Sequence, residues 1–212
     1  MSTIQFRKLH RSDYAEAKAI LSDMYRLPLF AEKPAVIQHL LGYVFHKILM
    51  NQNYNEVAIV DGHLGGLLCA QIGPKGQLAK LPHWLAYRCH ALCLAFAPAA
   101  ERATISEYKK IEASFHDLVG QSAKPFDSEL ILFVVNPQMR GKGIGKQLLQ
   151  RYFQACQRAG ASEMFLLTDT YCDYSFYDHN GFLREGQDAM LLHILTGEMA
   201  HHTFLYSRRV QK

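Results

Sequence analysis

The 212-residue sequence is most informative first in what it lacks. No stretch reaches the roughly 18 uninterrupted apolar residues of a membrane span. The opening "MSTIQFRKLHRSD" has no apolar core of the secretory-signal kind. These two absences set the expectation of a cytoplasmic protein with no membrane partner. The five cysteines, Cys69, Cys89, Cys93, Cys156 and Cys172, are odd in number and follow no repeated spacing. That argues against a disulfide framework and for reduced thiols. Cys89 and Cys93 stand four apart around His90, but two further ligands at a metal-site spacing are lacking, so no metal is expected. Basic runs are lacking as well: the net charge is +4, and the cations are scattered. A nucleic-acid reader clusters its cations and interleaves aromatics, so no nucleic-acid partner is expected; a small polyanion suits the modest excess. Repeats, low-complexity tracts and linkers are absent too. With 49% hydrophobic and 20% charged residues, the chain is expected to fold as a single domain over 1–212.

What is present is an ordered alternation of strand and helix patterns. "TIQFRK" alternates like a half-buried first strand. Ser12 or Asp13 suits the cap of a following helix, Asp13 and Glu16 have capping-box spacing, and Ala15, Ala19, Ile20, Met24 and Leu27 form its stripe. Pro34 opens a strongly apolar helix over 34–50. "EVAIVDGHLGGLLCAQIG" reads as a hairpin turning at Asp61-Gly62. Residues 74–127 interrupt the rhythm with two helical patterns, the first apolar nearly all round and carrying Trp84. "SELILFVV" is a buried strand at 128–135. Helical periodicity resumes through Leu148, Leu149, Tyr152, Phe153 and Cys156 and ends at Gly160. "EMFLLTD" is a strand, "YCDYSFYDHNGF" a short helix and turn, and "HTFLYSRRV" a closing strand.

The segment between the buried strand and the next helix, "RGKGIGK" at 140–146, packs three glycines and three cations into seven positions. A strand that ends in a glycine-rich turn opening a helix presents free N–H groups to an anion. Cations at a helix start are otherwise unfavourable, and a bound polyanion explains Arg140, Lys142 and Lys146 there. A Walker loop fails: position 140 is not glycine and Lys146 is followed by Gln147. The dinucleotide fingerprint fails because the third glycine arrives one residue early. What remains is Arg/Gln-x-x-Gly-x-Gly/Ala, met by Arg140, Gly143 and Gly145.

On these residues the chain resembles the GCN5-related N-acetyltransferases. "ELILFVVNPQMRGKGIGKQLL", then helix and strand, then "FYDHNGF", match that family over 128–182, and the earlier element order fits it over most of the chain. The resemblance implies an α/β (α+β) fold: a mixed, mostly antiparallel central sheet flanked by helices, here with a helical insert at 74–127 between the third and fourth strands. It implies acetyl-CoA as co-substrate, bound where the fourth strand splays from the fifth at a bulge. Cofactor contacts are then expected from Phe133, Val134 and Val135, from Arg140, Gly141, Lys142, Gly143, Ile144, Gly145 and Lys146, and from Thr170. Thr170 stands where the family often has asparagine. No metal is implied. Homodimers are frequent in the family, and a homodimer is an open expectation here.

Acetyl transfer requires a deprotonated amine, a stabilised oxyanion and a protonated leaving thiolate. The family pattern Tyr-x-x-x-Gly-Phe is met by Tyr177, Gly181 and Phe182, which makes Tyr177 the expected general acid. Glu129 resembles the glutamate that histone-type relatives use as base through water. His83, His90, His179 and Asp173 are unranked alternatives for the base. Cys172 reads better as a small buried residue than as a nucleophile. The expected activity is acetyl transfer to a primary amine of a small molecule or peptide; the rival is a non-catalytic acyl-CoA sensor. For the insert, a cover for the sheet edge competes with a lid that shapes the acceptor pocket.

Overall fold

The computed structural model describes residues 3–74 and 80–210. Among these, seven strands form one sheet: β1 (Ile4–Arg7), β2 (Tyr54–Val60), β3 (His63–Ile72), β4 (Ser128–Val135), β5 (Glu163–Asp169), β6 (Leu183–Ile194) and β7 (Gly197–Arg209). Their order is β1-β2-β3-β4-β5-β7-β6. Only β4 and β5 run parallel, and the other neighbours are antiparallel. The mixed, mostly antiparallel sheet is therefore as expected. The helices are α1 (Tyr14–Met24), α2 (Pro34–Asn51), α3 (Leu81–Ala95), α4 (Ala99–Gln121), α5 (Ile144–Arg158) and α6 (Ser175–His179).

Two cores lie on the two faces of the sheet. On one face α1 to α4 pack through Leu21, Leu40, Phe45, Ile105 and Ile111 against Val57, Leu67 and Leu132. On the other face α5 packs Ile144, Leu148 and Tyr152 against Leu68, Leu130 and Leu166. Each such fully buried side chain contributes about 1.5–3 kcal/mol relative to exposure. The α5 stripe is amphipathic as its periodicity dictates, and Gly160 follows the helix end at φ 72°. α2 is apolar on most sides because it lies between the sheet and α3.

Three local expectations change. Asp13 does not cap α1 through Glu16: its carboxylate accepts from the His10 N–H (2.8 Å) and pairs with Arg7 (2.6 Å). The buried stripe of α1 is Ala17 and Leu21, not Ala15 and Ala19, and Leu27 belongs to a separate 3-10 turn. A strand is also added, since "LREGQDAMLLHI" forms β6 at the sheet edge, where only Leu192 and Ile194 are buried. The insert lies where expected, with residues 75–79 of it outside the described residues. Its helix α3 is not fully covered, and Leu81, Trp84, Leu85, Leu92 and Phe96 are exposed.

Candidate active site

The site begins with a strand that cannot stay flat. β4 pairs with β5 only over Ser128–Leu130 against Met164–Leu166. Beyond that, β4 follows β3 to the Val135–Gly66 pair, and β5 follows β7 to the Asp169–Thr203 pair. An extra residue on β4, Ile131, sits between the Leu130–Ala70 and Leu132–Cys69 pairs. Period-two alternation would place Leu130 and Leu132 on one face. Instead Leu130 enters the α5 core and Leu132 the opposite core. This is a β-bulge, which bends its strand and ends local pairing. The expected bulge is present, and the cleft between β4 and β5 opens at it.

On one side of the cleft is a cavity of about 660 Å³. Phe133, Val134 and Val135 of β4 line it, with Arg140, Gly141, Gly143, Ile144, Gly145 and Lys146; Asp173, Phe176 and Tyr177 close it opposite. Gly143, at φ 72°, precedes the first residue of α5, a backbone state that a side chain would strain. A Cβ on Gly145 would come within 3.2–3.3 Å of the Phe133 and Val135 side chains, so glycine lets α5 start hard against β4. The first intrahelical bond runs from Gln147 N–H to Gly143 C=O, 3.1 Å. The preceding N–H groups have no acceptor within the helix, and no acidic residue occupies the first turn. Free N–H groups, the helix dipole, Arg140 and Lys146 together make an anion seat. Two expected contributors do not line this cavity. Lys142 is exposed beside it. Thr170 turns to β7, where its hydroxyl lies 3.2 Å from His201 Nδ1.

On the other side is a cavity of about 470 Å³. Its walls are Glu129–Phe133 of β4, alternate residues Phe165, Leu167 and Asp169 of β5, Tyr25, the α2 residues Lys47, Ile48 and Asn51, and an α4 stripe of Tyr108, Glu112, Phe115 and Val119. The insert thus supplies a wall of the cavity. That wall is fixed: Glu101 of α4 accepts from the N–H groups of Glu32 (3.0 Å) and Lys33 (2.7 Å), and the Ser114 hydroxyl bonds Asp188 (2.7 Å) and lies 2.6 Å from that of Thr203.

The two cavities share Met24, Phe133, Cys172 and Tyr177. Tyr177 is 8% exposed and packs edge-on to Phe182 at 5.3 Å, so its ring has one placement. Burial raises its pKa and keeps the phenol protonated at neutral pH. Glu129 lies in the second cavity. Burial pushes the Cys172 thiol up to about 12, so it is no thiolate nucleophile near neutrality.

The unranked alternatives for the base stand elsewhere. His83 and His90 pair with His46 and His39 between α2 and α3. His179 bonds the Ser175 carbonyl at 2.7 Å. Asp173 lines the glycine-side cavity and accepts from the Ser175 hydroxyl. Sequence reasoning passed over Asp169. This residue is buried at the end of β5, facing the second cavity, with its pKa raised to about 6 by burial. The backbone N–H of Tyr171 holds one carboxylate oxygen at 2.8 Å. The other lies 3.7 Å from Nε2 of fully buried His201, too far for a hydrogen bond. Burial lowers His201 to about 4, so it is neutral and this contact is no ion pair at neutral pH. The only signal for Asp169 in the sequence was an acidic residue ending an apolar strand.

Residues 108–184 match the family model described as an acetyltransferase (GNAT) domain. No curated protein gives a significant match. Among solved structures, an N-acetyltransferase from Staphylococcus aureus Mu50 shares the fold, with 15% identity, 99% of this chain and 100% of that one covered, and a TM-score of 0.56. The yncA protein of Salmonella typhimurium, solved with its cofactor acetyl-CoA, aligns at 13% identity over 100% and 96% of the two chains, TM-score 0.53. An Aedes aegypti protein assigned as arylalkylamine N-acetyltransferase 7 aligns at 14% identity over 98% and 88%, TM-score 0.62.

Proposed function

We propose, from the match of residues 108–184 to a GNAT acetyltransferase domain, that the whole of 1–212 is one acyltransferase domain that moves the acetyl group of acetyl-CoA directly onto a primary amine. The observation that carries the reading is the meeting of two cavities at Tyr177 through the opening between β4 and β5. One cavity has an anion seat suited to a pyrophosphate, and the other bears carboxylates suited to an amine.

When bound, acetyl-CoA supplies an activated thioester. The residues present fit it: the α5 N–H groups, Arg140 and Lys146 hold phosphate oxygens, and β4 beyond Ile131 offers backbone groups no longer paired with β5. The amine reaches the junction from the other side and passes a proton, through water, to a carboxylate, for which Glu129 is the proposed base and Asp169 a second one on the facing strand. Its nitrogen forms a bond to the acyl carbon, and the carbon–sulfur bond breaks. Tyr177 donates its phenolic hydrogen to the departing sulfur, giving amide and free thiol. All five cysteines are free, in keeping with a reducing compartment, the cytoplasm.

The test is thiol release from acetyl-CoA over a panel of amines, with Tyr177→Phe beside the wild type. Loss of a general acid lowers kcat by about 10²–10⁴ while acetyl-CoA still binds. An unchanged kcat removes Tyr177 from the chemistry. Binding without release for every amine favours a sensor.

A further inference from the structure

We infer that the outer face of the insert helix α3 is a self-association surface, on which a second copy of this chain docks its own α3 antiparallel, about a two-fold axis between Arg88 and Cys89. The inference goes beyond the transferase reading and does not rest on it, because α3 lines neither of the cavities that meet at Tyr177.

Helix α3 is the outermost layer on its side of the sheet, since α2 lies between it and the strands. Its inner side is held close. The His90 ring fills the space that a Cβ on Gly42 would need, and the Tyr43 and Tyr87 rings pack at 4.7 Å. Leu94 enters the core on the same side. A helix fixed along one face presents the opposite face at a set orientation.

A helix face that meets only water is expected to be polar. This one carries Leu81, Trp84, Leu85, Leu92 and Phe96, each 46–80% exposed. From Leu81 to Phe96 the only charged residue is Arg88, and there is no acid. The five side chains together expose on the order of 600 Å² of apolar surface, the upper end of what the largest patch of a monomer shows. Covered in both copies of a pair, they remove on the order of 1,200 Å² from water, as the smaller specific interfaces do.

Symmetry decides for a second copy. The exposed positions mirror one another about the middle of the helix, so antiparallel pairing sets Leu81 beside Phe96, Leu85 beside Leu92 and Trp84 beside Cys93. The same patch then serves both copies, and the contact closes at two. Arg88 falls beside Cys89 rather than beside its own counterpart, and its guanidinium lies 5.9 Å from the Trp84 ring centre. A bilayer, the other apolar occupant, would draw that central cation toward hydrocarbon.

Sedimentation equilibrium of the full chain from about 1 to 200 µM tests the pairing, since an interface at the small end of the range gives weak, micromolar affinity. Monomers are expected to pass to dimers over this range. Leu85→Glu and Leu92→Glu each set a charge against an apolar partner and should raise the Kd at least about tenfold. Leu183→Glu, on β6 at a comparable 64% exposure, should leave the Kd unchanged. Circular dichroism checks the fold of each variant, and Phe96→Ser, at the most exposed of the five positions, replaces any that unfolds. A chain that stays monomeric throughout, or that grows past two copies, overturns the inference. So does a dimer that survives Leu85→Glu and Leu92→Glu, or one that Leu183→Glu breaks. A monomer that co-sediments with phosphatidylglycerol vesicles overturns it as well and gives the face to a membrane. None of these outcomes depends on whether any amine is acetylated.

Discussion

Tyr177 and Asp169 show what single residues reveal before a fold is known. Tyr177 was legible because its partners, Gly181 and Phe182, lie within one turn of chain and fix its spacing. The character of Asp169 was not, because it comes from burial in the assembled fold, where Tyr25 and Tyr108 of the insert, both distant in sequence, come close enough to feel its charge. Its carboxyl titrates at about 6 in the fold against an ordinary 3.8. The folded state therefore holds the extra proton between those values. The associated stability is whole below about 3.8 and is lost as pH rises through about 6. Above pH 6 the buried charge costs up to ~3 kcal/mol. Asp169→Asn is accordingly expected to stabilise the protein at pH 8 and to gain little at pH 4.5, measured as denaturant midpoints at the two pH values. An equal shift at both would mean that the ionised carboxylate carries no such penalty.

At the scale of elements, strands and helices flanked by strong punctuation were legible nearly to the residue, as at β4, β5 and the Asp61-Gly62 turn. β6 was not, because an edge strand with two largely exposed faces shows neither alternation nor an apolar run. The packing of α3 on α2 was equally hidden. His39 and His46 of α2 meet His90 and His83 of α3, with Nδ1 pairs at 3.1 and 3.2 Å and the His46 and His90 rings stacked at 5.8 Å. Burial pushes His46 down to about 4 and also lowers His83 and His90, and the charged groups beyond the cluster acting on them are the cations Lys18 and Arg11. Folded values below the ordinary 6.5 mean stability that is present above pH 6.5 and lost as pH falls toward 4. Acid should therefore loosen α3 first. Hydrogen exchange, corrected for intrinsic rate, is expected to show protection at 81–95 falling between pH 7 and pH 5 while α5 holds. The response should vanish in a His46→Gln, His83→Gln double variant. A fall shared by both helices would place the acid sensitivity outside this seam.

For the whole molecule, the bulge at Ile131 and the loyalty of β5 to β7 together turn a sheet into a passage with two mouths. The cleft was legible only through family resemblance, since no local pattern says that two adjacent strands part. Two mouths have a kinetic consequence. Under the proposed function, coenzyme and acceptor would reach Tyr177 from opposite cavities without excluding one another, so both would be bound when the acyl group moves. A covalent relay would need a nucleophile at the junction. The cysteine there, Cys172, is held protonated by burial beside Asp169, with its pKa near 12. Initial rates against acetyl-CoA at several amine concentrations should then give intersecting double-reciprocal lines, and Cys172→Ala should retain most of the wild-type kcat. Parallel lines, together with a Cys172→Ala variant that binds acetyl-CoA but releases no thiol, would replace direct transfer with an acyl-enzyme and make the shared cysteine, not the open passage, the centre of the mechanism.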